Sequence, residues 1–194
     1  MPLVKLYFTP ALLLLVLTCP QVSRSLPVTS RGPLKESCVS YANTLLRNIT
    51  DTLTQMEEHV FNCLQLNVEL NMTTSTPSAC APKESKCSGT VKAEFDQESC
   101  VTNIGEDLHH YYEFLSAQTD YSSLVSTVLL RLRELMENCF PWSLQIDVSK
   151  GAASKDENSF DRRLRLCKVL RGFQVRCITM NRAIGYMNSG EHTK

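Results

Sequence analysis

The chain has 194 residues, with 20 basic and 20 acidic side chains in formal balance and nine cysteines. That balance gives no electrostatic footprint for nucleic acid or for capture of any other polyanion, which needs a basic excess. No segment approaches the roughly 18 to 20 consecutive apolar residues of a membrane span, so membrane insertion is not expected.

The N-terminus carries a processing pattern. Lys5 supplies a short positive region, Ala11 to Leu17 an unbroken apolar run, and Cys19-Pro20 closes it, with small residues at Ser23 and Ser25 for cleavage. This order is that of a secretory signal, not of an anchor. Residues 1–25 are therefore expected to be a signal peptide and 26–194 one secreted, extracellular domain, of a size that supports a real core. Cys19 would leave with the signal. Cys38, Cys63, Cys80, Cys87, Cys100, Cys139, Cys167 and Cys177 remain, and in a secreted chain they read first as a disulfide framework. Two sequons, Asn48-Ile49-Thr50 and Asn71-Met72-Thr73, are candidate N-glycan acceptors. The second lies in a polar Thr/Ser stretch, where a glycan would be expected to sit freely.

Helical periodicity occurs four times after the signal, and no convincing strand alternation occurs. The first helix is expected from near Lys35 to about Asn62, with Cys38, Ala42, Leu45, Ile49, Leu53, Met56 and Val60 on one side. The second begins near Cys100 and carries Val101, Ile104, Leu108, Tyr111 and Leu115. The third begins near Ser122, with Ser122 or Ser123 as its cap, and carries Val125, Val128, Leu132, Leu135 and Cys139. The fourth runs from Ser159 to Met187 through Phe160, Leu164, Cys167, Leu170, Phe173, Cys177, Met180 and Ile184, and Gly190 is a natural stop.

Connection lengths restrict the topology. Ala117 to Tyr121 is so short that the second and third helices must be antiparallel neighbours. Leu64 to Ser99 is long and rich in Thr, Ser, Pro and Lys, and the link before the fourth helix is also long, with Pro141 and Gly151 in it. The first helix would be about 40 Å long, and an extended chain covers about 3.3 Å per residue, so either long link can run back along it. Two long connections around a short one predict an all-α four-helix bundle with up-up-down-down topology, the arrangement of long-chain cytokines.

Enzyme signatures are missing. His109-His110 with Glu113 matches no zinc-protease spacing and lacks a third ligand. There is no G-x-S-x-G, P-loop, dinucleotide fingerprint or C-x-x-C, so neither catalysis nor a cofactor or metal is expected. The two histidines read as a solvated helix flank, and Glu106, Asp107 and Glu113 likewise as a solvated face. Most of the basic residues of the fourth helix (Arg162, Arg163, Arg165, Lys168 and Arg171) read the same way, with a receptor or heparin contact as the open alternative.

Three segments carry a family resemblance: CVSYANTLLRNI at Cys38 to Ile49, CVTNIGEDL at Cys100 to Leu108, and LCKVLRGFQVRCITMNRAIGYMN at Leu166 to Asn188. With the order of cysteines, they resemble the interleukin-12 alpha subunit family, long-chain helical cytokines related to interleukin-6. The third helix and the link after it match poorly. The resemblance implies a secreted cytokine subunit that pairs with a receptor-like beta subunit of immunoglobulin and fibronectin type III domains and engages cytokine receptors in immune signalling.

It also implies roles for cysteines. A family bridge from the end of the first helix to the start of the fourth maps onto Cys63 and Cys167, which the topology independently places at one end. A second maps onto Cys80 and Cys100. Cys87 aligns with the cysteine that bonds covalently to the beta subunit. A third family bridge lacks its loop partner for Cys38. Topology offers a substitute, because Cys38 starts the first helix and Cys139 ends a helix that descends to the same end. Cys177 is then left over on the core stripe and reads as a buried free thiol.

The fourth helix has one apolar stripe too many. Phe173, Cys177, Met180, Ile184 and Met187 form a core face, while Val175, Ile178 and Tyr186 fall on the opposite side around Arg182, with Thr179 beside them. An aromatic and aliphatic surround for an arginine is the composition of an interface anchor. The resemblance makes Arg182 the residue that enters a pocket of the beta subunit, and an arginine buried there needs an Asp or Glu facing it. The competing reading is an apolar flank covered by the long link after the first helix. Phe160 occupies the position of an aromatic receptor contact in related cytokines, although it also begins the core stripe. Two alternatives remain open at this stage: a single-chain interleukin-6-like cytokine and a secreted helical lipid carrier, the latter requiring a large internal cavity.

Overall fold

A computed structural model describes residues 34–59, 63, 67–81, 95–146 and 158–190. The expected signal peptide, Val60 and Cys87 lie outside the described residues. The helices are α1 (Glu36–His59), α2 (Thr76–Ala79), α3 (Gln97–Ser116), α4 (Ser122–Cys139) and α5 (Ser159–Ser189), with 3-10 turns at Thr119–Tyr121 and Pro141–Gln145. No strand occurs among the described residues, and no helix there is long and apolar enough to cross a membrane.

The ends of the helices follow from local chemistry. α3 begins earlier than the Cys100 expected from periodicity, because the Asp96 carboxylate accepts from Ser99 N at 3.0 Å and caps Gln97 onward. α5 is capped in the same way, with Asn158 accepting from Asp161 N at 2.9 Å, and it ends at Gly190, whose φ of 69° suits a residue without Cβ. The cap expected from Ser122 or Ser123 is absent. The 3-10 turn at Thr119–Tyr121 feeds directly into α4, and no side chain caps it.

α1 and α3 each pack against both α4 and α5. Cys38 at the start of α1 is joined to Cys139 at the end of α4, with Cα atoms 5.9 Å apart, so these two helices are antiparallel. Cys63, just past α1, is joined to Cys167 near the start of α5, with Cα atoms 5.6 Å apart. The antiparallel register of α1 and α5 is visible in two further contacts. Gln174 Nε2 donates to Thr50 Oγ1 at 3.0 Å, and Asn181 Nδ2 donates to Ala42 O at 3.1 Å. The short corner makes α3 and α4 antiparallel as well. Like-directed helices are therefore diagonal to each other, and the bundle is all-α with up-up-down-down topology.

Ala42, Leu45, Ile49, Leu53 and Met56 of α1 meet Ile104, Leu108, Tyr111, Leu132, Leu135, Phe173, Met180 and Ile184 in one core. The Tyr111 and Phe173 rings stack with centroids 4.1 Å apart. Burial pushes the Tyr111 phenol up to about 12. Cys177 is buried and free. Burial, and secondarily the charge of Asp107, push its thiol pKa up, which keeps it protonated and inert.

The link after α1 is held against α3 and α5 by a buried polar cluster. Glu69 N donates to Lys168 O at 3.0 Å, and a Cβ on Gly172 would lie 1.8 Å from Glu69 O, so only glycine lets the chain pass this close to α5. Asp107, wholly buried, accepts from Asn71 Nδ2 at 3.0 Å, Thr74 Oγ1 at 2.6 Å and Thr76 Oγ1 at 2.5 Å. Arg176 Nη2 donates to Asn71 O at 2.6 Å. Its Nε lies 3.2 Å from Asp107 Oδ2, close enough for an ion pair although its N–H is not aimed at an acceptor. Cys80–Cys100 ties the far end of the same link to α3, with Cα atoms 4.7 Å apart.

Three expectations are corrected here. Asp107 is not on a solvated face; it is the acceptor at the centre of this cluster, while Glu106 and Glu113 are exposed. His109 is not on a solvated flank either. It is buried one turn beyond Gly105, on which the Trp142 ring sits, and neither of its ring nitrogens has a hydrogen-bond partner among the described residues. Asn71 is not a free glycan acceptor, because it is 5% exposed and the nitrogen a glycan would use is bonded to Asp107.

Asp107→Ala strands a buried guanidinium and three donors, so the chain should lose about 3–5 kcal/mol in chemical denaturation. Asn71→Gln should cost about 1–3 kcal/mol for its misplaced amide. Produced in glycosylating cells, the Asn71→Gln protein should migrate with wild type before and after glycosidase treatment; a faster band before treatment would show that wild-type Asn71 carries a glycan.

Candidate docking interface

At 100° per residue, α5 presents distinct strips to distinct neighbours. Phe173, Cys177, Met180, Ile184 and Met187 are buried in the core. One edge of the outer side is occupied by α1, through Gln174 and Asn181. The other is occupied by the link residues Glu69 and Asn71, which lie along Lys168, Gly172 and Arg176. Between these edges runs an open strip. Val175 is 42% exposed, Ile178 is 38% exposed, and Arg182 is exposed in line with them.

Arg182 makes no hydrogen bond or ion pair among the described residues. Thr179 is half-buried towards the link side. Tyr186 is half-buried too, because Phe95, just before α3, meets its ring edge-on with centroids 5.2 Å apart. The five residues expected on this face thus lie on one side of α5, with Val175, Ile178 and Arg182 the open part. The described portion of the long link runs beside that strip and not over it.

Phe160 is 52% exposed in the first turn of α5 and does not begin the buried stripe, which starts at Leu166. Its end of the helix is fixed against the α3–α4 corner by the Arg162–Asp120 ion pair and by Tyr121 OH donating to Ser159 O at 3.4 Å. Asn48 is half-buried on α1, with its amide donating to Thr44 O at 2.8 Å. Among the described residues no group of His, Cys, Asp and Glu is arranged to hold a metal ion.

Reading by residue type missed the Asp107–Arg176 pair, and a signal for it existed. Asp107 is three residues after Ile104 and four before Tyr111, and Arg176 stands in the same relation to Phe173 and Met180. Both are charges at core-facing helical positions, which are tolerated only when paired.

Comparison with known proteins finds relatives along most of the chain. The family model for the interleukin-12 alpha subunit matches residues 6–190. Interleukin-12 subunit alpha of Lama glama is 25% identical over 203 aligned residues, covering 87% of this chain and 89% of its own length. Those of Bos taurus and Cervus elaphus are 26% and 27% identical, with the same coverage of 87% and 89%. A lipid carrier is thereby set aside. The chain belongs to the interleukin-12 alpha subunit family, and it is a cytokine subunit, not an enzyme.

Proposed function

We propose that the chain is secreted after removal of residues 1–25 and docks a receptor-like beta subunit through the open strip of α5. The observation that carries this reading is an exposed arginine with no partner among the described residues, set among exposed Val175 and Ile178 on a helix already anchored on its other sides. A guanidinium can pair a carboxylate bidentately while its stem packs on apolar surface, so it suits a pocket that is greasy at the wall and acidic at the base. Thr179 and Tyr186 flank the contact. Cys87 adds a covalent link to the same partner, and Phe160, at the opposite end of α5, contacts a signalling receptor. Asn48 is the remaining glycan acceptor.

The test is co-expression with interleukin-12-type beta chains. In a Cys87→Ser background, where no covalent bond masks the loss, Arg182→Ala should weaken co-purification about 30-fold or more while the circular dichroism of the bundle stays unchanged. Assembly at wild-type strength would refute the docking reading. Phe160→Ala should leave assembly intact and lower reporter-cell activation by the heterodimer about tenfold or more; undiminished activation would remove Phe160 from the receptor contact.

A further inference from the structure

α3 and α5 contain glycines at interior positions, where glycine is worse than alanine because it loses more backbone freedom. Two have an evident reason inside the chain. A Cβ on Gly105 would lie 2.2 Å from the Trp142 ring, and one on Gly172 would lie 1.8 Å from the carbonyl oxygen of Glu69. Gly185 has none. Among the described residues, its chain neighbours and the adjoining helix backbone aside, no heavy atom lies within 4 Å of where its Cβ would be, and its φ is not positive.

Gly185 lies on the open strip of α5, one turn beyond Arg182 and two beyond Ile178. The missing Cβ bares helix backbone beside a guanidinium that pairs with no described residue. Bared backbone next to an anchor is what a close approach by another chain requires. A second copy of this chain is a poor occupant, since a twofold contact centred here would set Arg182 against Arg182. A partner that supplies a carboxylate to Arg182 has no such conflict.

We propose that Gly185 is the point at which the beta subunit comes closest to α5, and that its lack of a side chain determines which partner can seat Arg182 fully. This rests on the docking reading of the α5 strip. A partner segment lies flat on the backbone at Gly185, and that depth carries its acidic group to the guanidinium.

The test compares effects of opposite sign. Gly185→Ala should raise the melting temperature of the full chain by about 2–4 °C, because the Cβ meets no described side chain and helix propensity improves. In the Cys87→Ser background with a co-expressed interleukin-12-type beta chain, Gly185→Ala should already weaken assembly measurably. Gly185→Leu should weaken it about 10- to 100-fold, the cost of overpacking a tight contact. Gly172→Ala serves as the contrasting variant and should lower the melting temperature. If both Gly185 variants assemble like wild type while Arg182→Ala does not, the Gly185 proposal fails and the docking reading stands. If Arg182→Ala also assembles normally, both fall.

Discussion

The fold depends on a buried charge pair that binds three parts of the chain together. Asp107 on α3 and Arg176 on α5 meet beneath the link that follows α1, and that link answers with donors from Asn71, Thr74 and Thr76 and with the carbonyl of Asn71. Two charges taken out of water are expensive, and their mutual attraction offsets this only when the other lone pairs and protons are also used. Here Asp107 has both oxygens occupied. Apolar residues could stabilise the same spot as well or better, but they would not specify which backbone crosses it. The pair therefore fixes the path of a long connection that has little apolar surface of its own.

The disulfides act on the same problem at longer range. Cys38–Cys139 and Cys63–Cys167 have sequence separations of 101 and 104. Closing loops of that size removes much of the unfolded chain's freedom, about 4.7 kcal/mol each in the loop-entropy picture. They sit at opposite ends of α1 and clamp it between α4 and α5. Cys80–Cys100 then closes the link that the charge pair holds at its middle. α5 is consequently braced by α1 on one edge and by the link on the other. A helix held at both edges can leave its outermost strip apolar without rolling to bury it.

Much of this was legible in the sequence because it is periodic. The core stripes of α1, α3, α4 and α5 follow the three-four spacing, and the loop lengths imply the order of the helices. The outward strip of α5 is a second set at the same spacing. What was not legible depends on contacts distant in sequence. Asn71 stands in a Thr/Ser-rich stretch that looks solvated, and only its approach to Asp107 makes it structural. His109 is buried one turn beyond Gly105, where the turn carrying Trp142 folds back onto α3, and no periodicity foretells that return. Asp107 was an intermediate case: its position among Ile104, Leu108 and Tyr111 marked it as core-facing, while its charge argued for solvent. Position was the better guide.

Arg176 and Arg182 lie less than two turns apart on α5, in opposite circumstances. Arg176 is buried, and the chain itself supplies a carboxylate and a carbonyl to it. Arg182 points outward among aliphatic side chains, and no described residue supplies either. A solvated arginine needs no partner, so exposure alone does not make it an anchor. What sets Arg182 apart is the surface around it, where exposed Val175 and Ile178 and the bared backbone of Gly185 would all gain from cover. Any chain that covers them also strips water from the guanidinium, and the contact is then favourable only if that chain brings an acid. The chemistry that holds α5 from within is thus the chemistry a partner must repeat from outside.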